Sequence, residues 1–268
     1  MSDRNSTRRP PGALLARLLV LATLFLTSAP LAAAQDAEIK RGHHRWGRCR
    51  PGSWSRVRIM EEASSPDGSK ITSVKTRKTT LLAVDDQGVK VEVETTVEVA
   101  GSPVETMPQT LELSFDDLPS SDAAKVQRSV LGPGSVEIEG SPIRSTIQQI
   151  EITDAAAKTV IKRFYAADTP PYVLKCETTK TDRQSDAVLA QTTLQVIARE
   201  VPYPLAGKLH SISLSEEVHK HPGGSIRRLI LQAAEVPGGL IAEATKMLDA
   251  EGHIVGRSTL ELVEYEEK

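Results

Sequence analysis

The chain has 268 residues, with 33 Lys and Arg against 35 Asp and Glu, 39% hydrophobic residues and 3% aromatic residues. A balance this close to neutral supplies no concentrated positive field for phosphate backbones, which argues against nucleic-acid binding. So few rings also leave little for the stacking platforms on which sugar binders and single-strand binders depend.

Residues 1–34 read as a secretory signal peptide. Arg4, Arg8, Arg9 and Arg17 precede the apolar run Leu18 to Leu26, and Pro30 introduces Leu31-Ala32-Ala33-Ala34, a small-residue cleavage box. The run is far shorter than the roughly 20 residues that span a bilayer. Gln35 follows where a lipoprotein would carry Cys, so the mature chain is expected to start near Gln35, mildly acidic and without a stable membrane anchor. The expected location is exported, periplasmic or extracellular.

Residues 35–118 read as a divergent N-terminal β unit. Its dense basic stretch, Lys40 to Arg58, carries both tryptophans, Trp46 and Trp54, which are expected to plug one end of a sheet. Val89 to Val99 alternates strictly, the period of a half-buried antiparallel strand. Pro66-Asp67-Gly68 and Asp85-Asp86-Gln87-Gly88 supply hairpin-turn chemistry.

Residues 119–139 read as a linker, punctuated by Leu118-Pro119-Ser120-Ser121 and Leu131-Gly132-Pro133-Gly134. The one helix expected is Ser121 to Val130, capped by Ser120 or Ser121, with Ala123, Val126 and Val130 at helical spacing.

The remainder is written twice, as residues 140–206 and 207–268. Ala166-Ala167-Asp168-Thr169-Pro170 leads to Thr193-Leu194-Gln195-Val196, and after about 66 residues Ala233-Ala234-Glu235-Val236-Pro237 leads to Thr259-Leu260-Glu261-Leu262. Each copy reads as four strands. The segment Asp154 to Ala157, helical by propensity, aligns with the Pro-Gly-Gly interruption His221 to Gly224 and so reads as a turn. The expected fold is all-β: an antiparallel meander of repeated four-stranded units in a curved open sheet or half-barrel, with one short helix.

No enzyme signature stands out, and neither a catalytic residue, a metal site nor a cofactor is expected. Cys49 and Cys176, in an exported chain, are candidates for a disulfide or for two unpaired thiols, Cys176 lying in phase with Tyr172 and Leu174. His219 and His221 share a strand face and, with His43-His44, form a permissive metal spacing, but a turn follows them and exposed histidines are the plainer reading. The acidic pairs Glu61-Glu62, Asp85-Asp86 and Asp116-Asp117 sit in turns or at strand ends, where neighbours point apart. The expected inward apolar set is Val91, Val93, Val97, Val99, Leu174, Val196, Leu260 and Leu262, opposite the charged residues of the same strands.

A signal peptide, no enzyme motif and a long meander with one wet and one apolar face resemble in outline the periplasmic carriers of the LolA type and the LppX-like proteins. That resemblance implies an open half-barrel holding acyl chains, and it carries no site residues. The hairpin copies with Gly52-Ser53-Trp54 and Thr-Leu endings also resemble secreted bacterial β-repeat proteins, which implies no particular activity. The function expected is non-enzymatic binding or carriage of an apolar small molecule or lipid; the alternative is a structural or interaction module that meets an envelope protein.

Overall fold

The computed structural model describes residues 38–64, 69–99, 102–118 and 124–268. The leader read in residues 1–34, the Pro66-Asp67-Gly68 turn and the start of the expected helix at Ser121 lie outside these residues. Among the described residues, one 3-10 turn, Arg41–His43, precedes fourteen strands. The first five are β1 (Trp54–Ser64), β2 (Lys70–Val84), β3 (Gly88–Val99), β4 (Ser102–Glu105) and β5 (Gln109–Ser114). Then come β6 (Lys125–Ile138), β7 (Ser141–Thr153), β8 (Ala157–Tyr165), β9 (Val173–Asp182) and β10 (Val188–Leu205). The last four are β11 (Lys208–His221), β12 (Gly224–Ala233), β13 (Leu240–Leu248) and β14 (Ile254–Glu266).

All pair antiparallel in one open sheet ordered β4-β3-β2-β1-β14-β13-β12-β11-β10-β9-β8-β7-β6, with β5 following β4 along the same side of β3. Apart from β5, which pairs with β3 and not with β4 or β6, chain neighbours are hairpin neighbours, and β1 pairs with β14, which joins the two ends of the described chain. The free edges are therefore β4/β5 and β6, consecutive in sequence. As expected, Asp154 to Ala157 is a turn between β7 and β8, closed by the Asp154 amide on the Ala157 carbonyl at 3.1 Å.

The expected helix at 121–130 is not formed: from Lys125 this segment is strand β6, so the linker read at 119–139 is largely strand. Val126 and Val130 are four apart, a spacing that satisfies period two as well as a helical turn. Pairing with β7, from Lys125 opposite Thr153 to Ile138 opposite Ser141, supplies ladder bonds that ten helical residues could not match. Pro133 sits in this edge strand, where its missing donor is tolerated.

The sheet is nearly closed into a barrel. Asp116 lies two residues past β5, and β5 stands ten strand steps from β8 in the sheet order. On a flat sheet with strands about 4.8 Å apart that is roughly 48 Å. Instead the Arg163 Nη1 of β8 donates to Asp116 Oδ1 at 2.6 Å, and the Arg128 Nε of β6 donates to Asp116 Oδ2 at 2.9 Å. One carboxylate thus latches the two edges. At the other side of the wall the β6–β7 tip folds over, with Gln195 Nε2 of β10 donating to the Glu137 carbonyl at 3.3 Å. The inner face is the one that Asp116 touches. Three buried clusters fill the end where β1 begins: one around Leu81, Val89 and Val91, one around Val136, Leu174 and Val196, one around Ile212, Val236 and Ile241.

Candidate functional site

The floor of the barrel is sealed by the 3-10 turn together with the segment that joins it to β1. Its side chains reach three separate loops. His43 hydrogen-bonds the Tyr165 hydroxyl through Nδ1 and stacks on Tyr172, ring centroids 3.9 Å apart. His44 Nε2 and Arg45 Nη2 each lie 3.1 Å from Asp117 Oδ1. Trp46 is buried against Gly238, and Arg48 Nη2 donates to the Ala234 carbonyl at 2.8 Å. Cys49 packs in the cluster of Leu81, Val89 and Val91.

The motif that the sequence repeats builds two of these receiving loops. In one, the Thr169 amide bonds the Ala166 carbonyl, Tyr172 bonds Thr169, and Ala166 bonds Tyr172; in the other, Val236, Gly239 and Ala233 make the same three bonds to Ala233, Val236 and Gly239. Tyr172 and Gly239 both stand at positive φ, 68° and 76°. Trp46 plugs the floor as expected. Trp54 does not: it lies on the outer face of β1, beneath Arg56 and Lys78, with its indole donating to Glu266 at 3.0 Å.

Burial, with Lys40 and Arg48 nearby, holds the His43 imidazole below its ordinary value, while Asp168 works weakly the other way. Burial also pushes the Tyr165 hydroxyl up. For Asp117, burial opposes the charge, but the hydrogen bond from His44 and the nearby Arg45 outweigh it and keep the carboxyl low. Docking therefore favours the neutral His43 imidazole, and the undocked segment takes up a proton more readily as pH falls below about 6.5. The seal should be complete above that pH and weaken below it. In a Trp54→Phe background, Trp46 emission should shift to the red between about pH 7.5 and 5.5, and His43→Gln should abolish the shift; an unchanged transition in that variant would assign it to another group.

Above the floor, register pairs carry one row of side chains around the inner wall: Arg163, Cys176, Leu194, Glu217, Arg228, Thr245, Ser258 and Glu61. It is a polar belt. Arg228 Nη1 donates to Glu217 at 2.7 Å, and its Nε lies 3.6 Å from Glu243, which also accepts from Thr245 at 2.8 Å. Lys75 donates to Glu61 at 2.6 Å and thereby lowers that carboxyl. Arg77 lies on the same face, opposite Val57 and Thr95, and among the described residues it joins no salt bridge. The Ser215 side chain, 1% exposed, and the Arg228 Nε have no hydrogen-bond partner.

The register puts Val91, Val93, Val97, Val196, Leu260 and Leu262 on this inner face, as the alternation implied; Leu174 falls at the β8–β9 register shift and is buried with Val136 and Val196, and the Val99 side chain lies outside the described residues. The charged members of the belt were not anticipated there. Nothing in Lys75-Thr76-Arg77-Lys78 says which polar residue turns inward. Near the mouth the lining turns apolar again and meets solvent, with Ile71 59% and Val104 52% exposed.

Cys49 and Cys176 are free thiols in this structure, Cys49 in the floor and Cys176 on β9 beside Arg163, and burial raises both. His219 bonds Thr192 at 2.8 Å through Nδ1, and His221 accepts from the Gly223 amide at 3.1 Å. The acidic pairs divide: Glu61 faces inward and Glu62 outward to Lys70, Asp85 ties its own turn, Asp116 is the latch and Asp117 holds the floor. A shallow open depression between Lys220–Ser225 and Asp249–Gly252 lies at the mouth turns, away from the belt.

No protein-family model and no curated protein matches the chain. Among solved structures, the chain is similar to a candidate exported protein with YmcC-like fold from Bacteroides fragilis at 8% identity and a TM-score of 0.31, covering 82% of this chain and 97% of that one. A candidate lipoprotein from Parabacteroides distasonis matches at 10% identity and a TM-score of 0.31, with 81% and 96% covered. A LolA superfamily protein from Nitrosomonas europaea matches at 10% identity and a TM-score of 0.29, with 88% and 94% covered.

Proposed function

We propose that the protein is an exported, non-enzymatic carrier that holds a lipid-like ligand on the inner face of its barrel, with residues 1–34 as its leader. The observation that carries this reading is the inner lining. One end is sealed by a dedicated segment, while the other end leaves apolar side chains such as Ile71 and Val104 in water along a continuous inner wall. A barrel that existed only as a scaffold would gain by filling that wall, because each uncovered apolar side chain forgoes about 1.5–3 kcal/mol of burial. A ligand with a hydrocarbon part recovers it.

The protein should take up a fluorescent fatty acid or phospholipid saturably, and native mass spectrometry from its own envelope should show a copurified lipid. Val97→Asp places a charge on the lining and should weaken uptake by about tenfold or more. Absence of uptake, together with a copurified protein, would instead favour an interaction module that offers its β4/β5 and β6 edges to an envelope partner.

A further inference from the structure

The polar belt narrows the ligand beyond a hydrocarbon. Its carboxylates are already engaged: Glu217 and Glu243 share Arg228, Glu243 also holds Thr245, and Glu61 holds Lys75 and Ser73. What is left unmet is donors. Arg228 Nε has no hydrogen bond, the buried Ser215 hydroxyl has none, and Arg77 has Glu243 nearby but no carboxylate in contact among the described residues. Ser215 and Arg228 sit on adjacent strands, Ser215 opposite Ile230 and Arg228 opposite Glu217, so both address the same stretch of wall. An alkane placed there would leave the Arg77 guanidinium, the Ser215 hydroxyl and the Arg228 Nε–H without a hydrogen-bond acceptor, at a desolvation cost that no apolar contact returns. An oxygen-rich anion would meet them.

Building on the carrier reading, we infer that the ligand is an anionic amphiphile bound head inward, its carboxylate or phosphate held by Arg77, Arg228 and Ser215, its hydrocarbon running past Val97 toward Ile71 and Val104 at the mouth. The guanidinium fork suits both head groups, since each offers two coplanar or tetrahedral oxygens to parallel N–H donors. Burial and the neighbouring Arg45 both act against the Arg77 charge, countered by Glu243, so an incoming anion would also relieve an unfavourable cation.

The test compares four probes of matched chain length on the full mature protein: a fatty acid, a lysophosphatidic acid, a fatty alcohol and a monoacylglycerol. Wild type should bind at least one of the two anions about 10- to 100-fold more tightly than both neutral probes, and whether the fatty acid or the lysophosphatidic acid binds better separates carboxylate from phosphate. Arg77→Gln should remove that preference, and Arg77→Lys should restore part of it. Equal binding of anionic and neutral probes, or an anion preference that survives Arg77→Gln in a protein whose circular dichroism and melting are unaltered, would overturn the head-inward assignment and leave the carrier reading intact. Binding of none of the four would overturn both.

Discussion

Replacing Asp116 with Ala should cost about 3–5 kcal/mol of stability, because it leaves a buried cation without its partner. Asp116 and Arg163 are 6% and 5% exposed, and the Asp116 carboxylate is held at both oxygens, by Arg163 at 2.6 Å and by Arg128 at 2.9 Å. A second Arg163 nitrogen donates to the Asp116 backbone carbonyl at 3.3 Å, so the guanidinium is oriented by the loop as well as by the charge. The ion group also has a topological task. Strands β5 and β6 do not pair, and this one side chain ties the loop after β5 to β6 and β8. Urea unfolding should therefore show the loss in midpoint, and amide exchange should accelerate first along β5 and β6. The double variant Asp116→Leu with Arg163→Met, which replaces charge by apolar volume, should be less destabilised than Asp116→Ala alone. A cost below about 1 kcal/mol for Asp116→Ala would mean that water reaches the site and that the edges are held by something else.

Most of the architecture was legible because it rests on period two. Strict alternation in Val89 to Val99 and turn chemistry at Asp85 to Gly88 state a strand and a hairpin locally, and register then carries Val91, Val93 and Val97 to the inner face with Leu81 as neighbour. The doubled Ala-Ala-acid motif marked two loops that share a hydrogen-bond pattern, Ala166 to Tyr172 and Ala233 to Gly239. What failed was the segment at 121–130, where apolar residues four apart satisfy helix and strand alike and only the partner strand β7 decides. The belt was illegible for a related reason. Alternation assigns apolar residues to the inside only when the inside is dry, and β2, β11 and β12 carry polar residues on both faces. Glu217, Arg228 and Glu243 share the inner face as cross-strand neighbours on β11, β12 and β13, and with polar residues on both faces of those strands the alternation offers nothing that chooses between them. The Asp116 latch is likewise long-range: adjacent aspartates in a turn look alike until one meets Arg163 and the other His44.

Trp46→Ala should be the other large loss, about 3–5 kcal/mol, since it removes a ring 5% exposed from the floor and leaves a cavity between the sealing segment and the β12–β13 loop. The loop is shaped for that ring. Gly238 stands at φ +79°, and a Cβ built there would lie 2.8 Å from Trp46 Cζ2, closer than an unshifted ring can allow. Gly238→Ala should accordingly pay twice, for the left-handed backbone at about 1–2 kcal/mol and for displacement of the ring. Only the second cost depends on the tryptophan. In a Trp46→Ala background the same glycine replacement should cost the backbone contribution alone, so the double variant should be more stable than the sum of the two singles implies, by about 1–2 kcal/mol. Thermal unfolding of the four proteins measures this coupling directly. Additive losses would show that Trp46 moves independently of the β12–β13 loop, and a loss under about 1 kcal/mol for Trp46→Ala would show that the floor is sealed by the strands themselves, with the segment 41–53 resting on it as an ornament of the chain rather than as its closure.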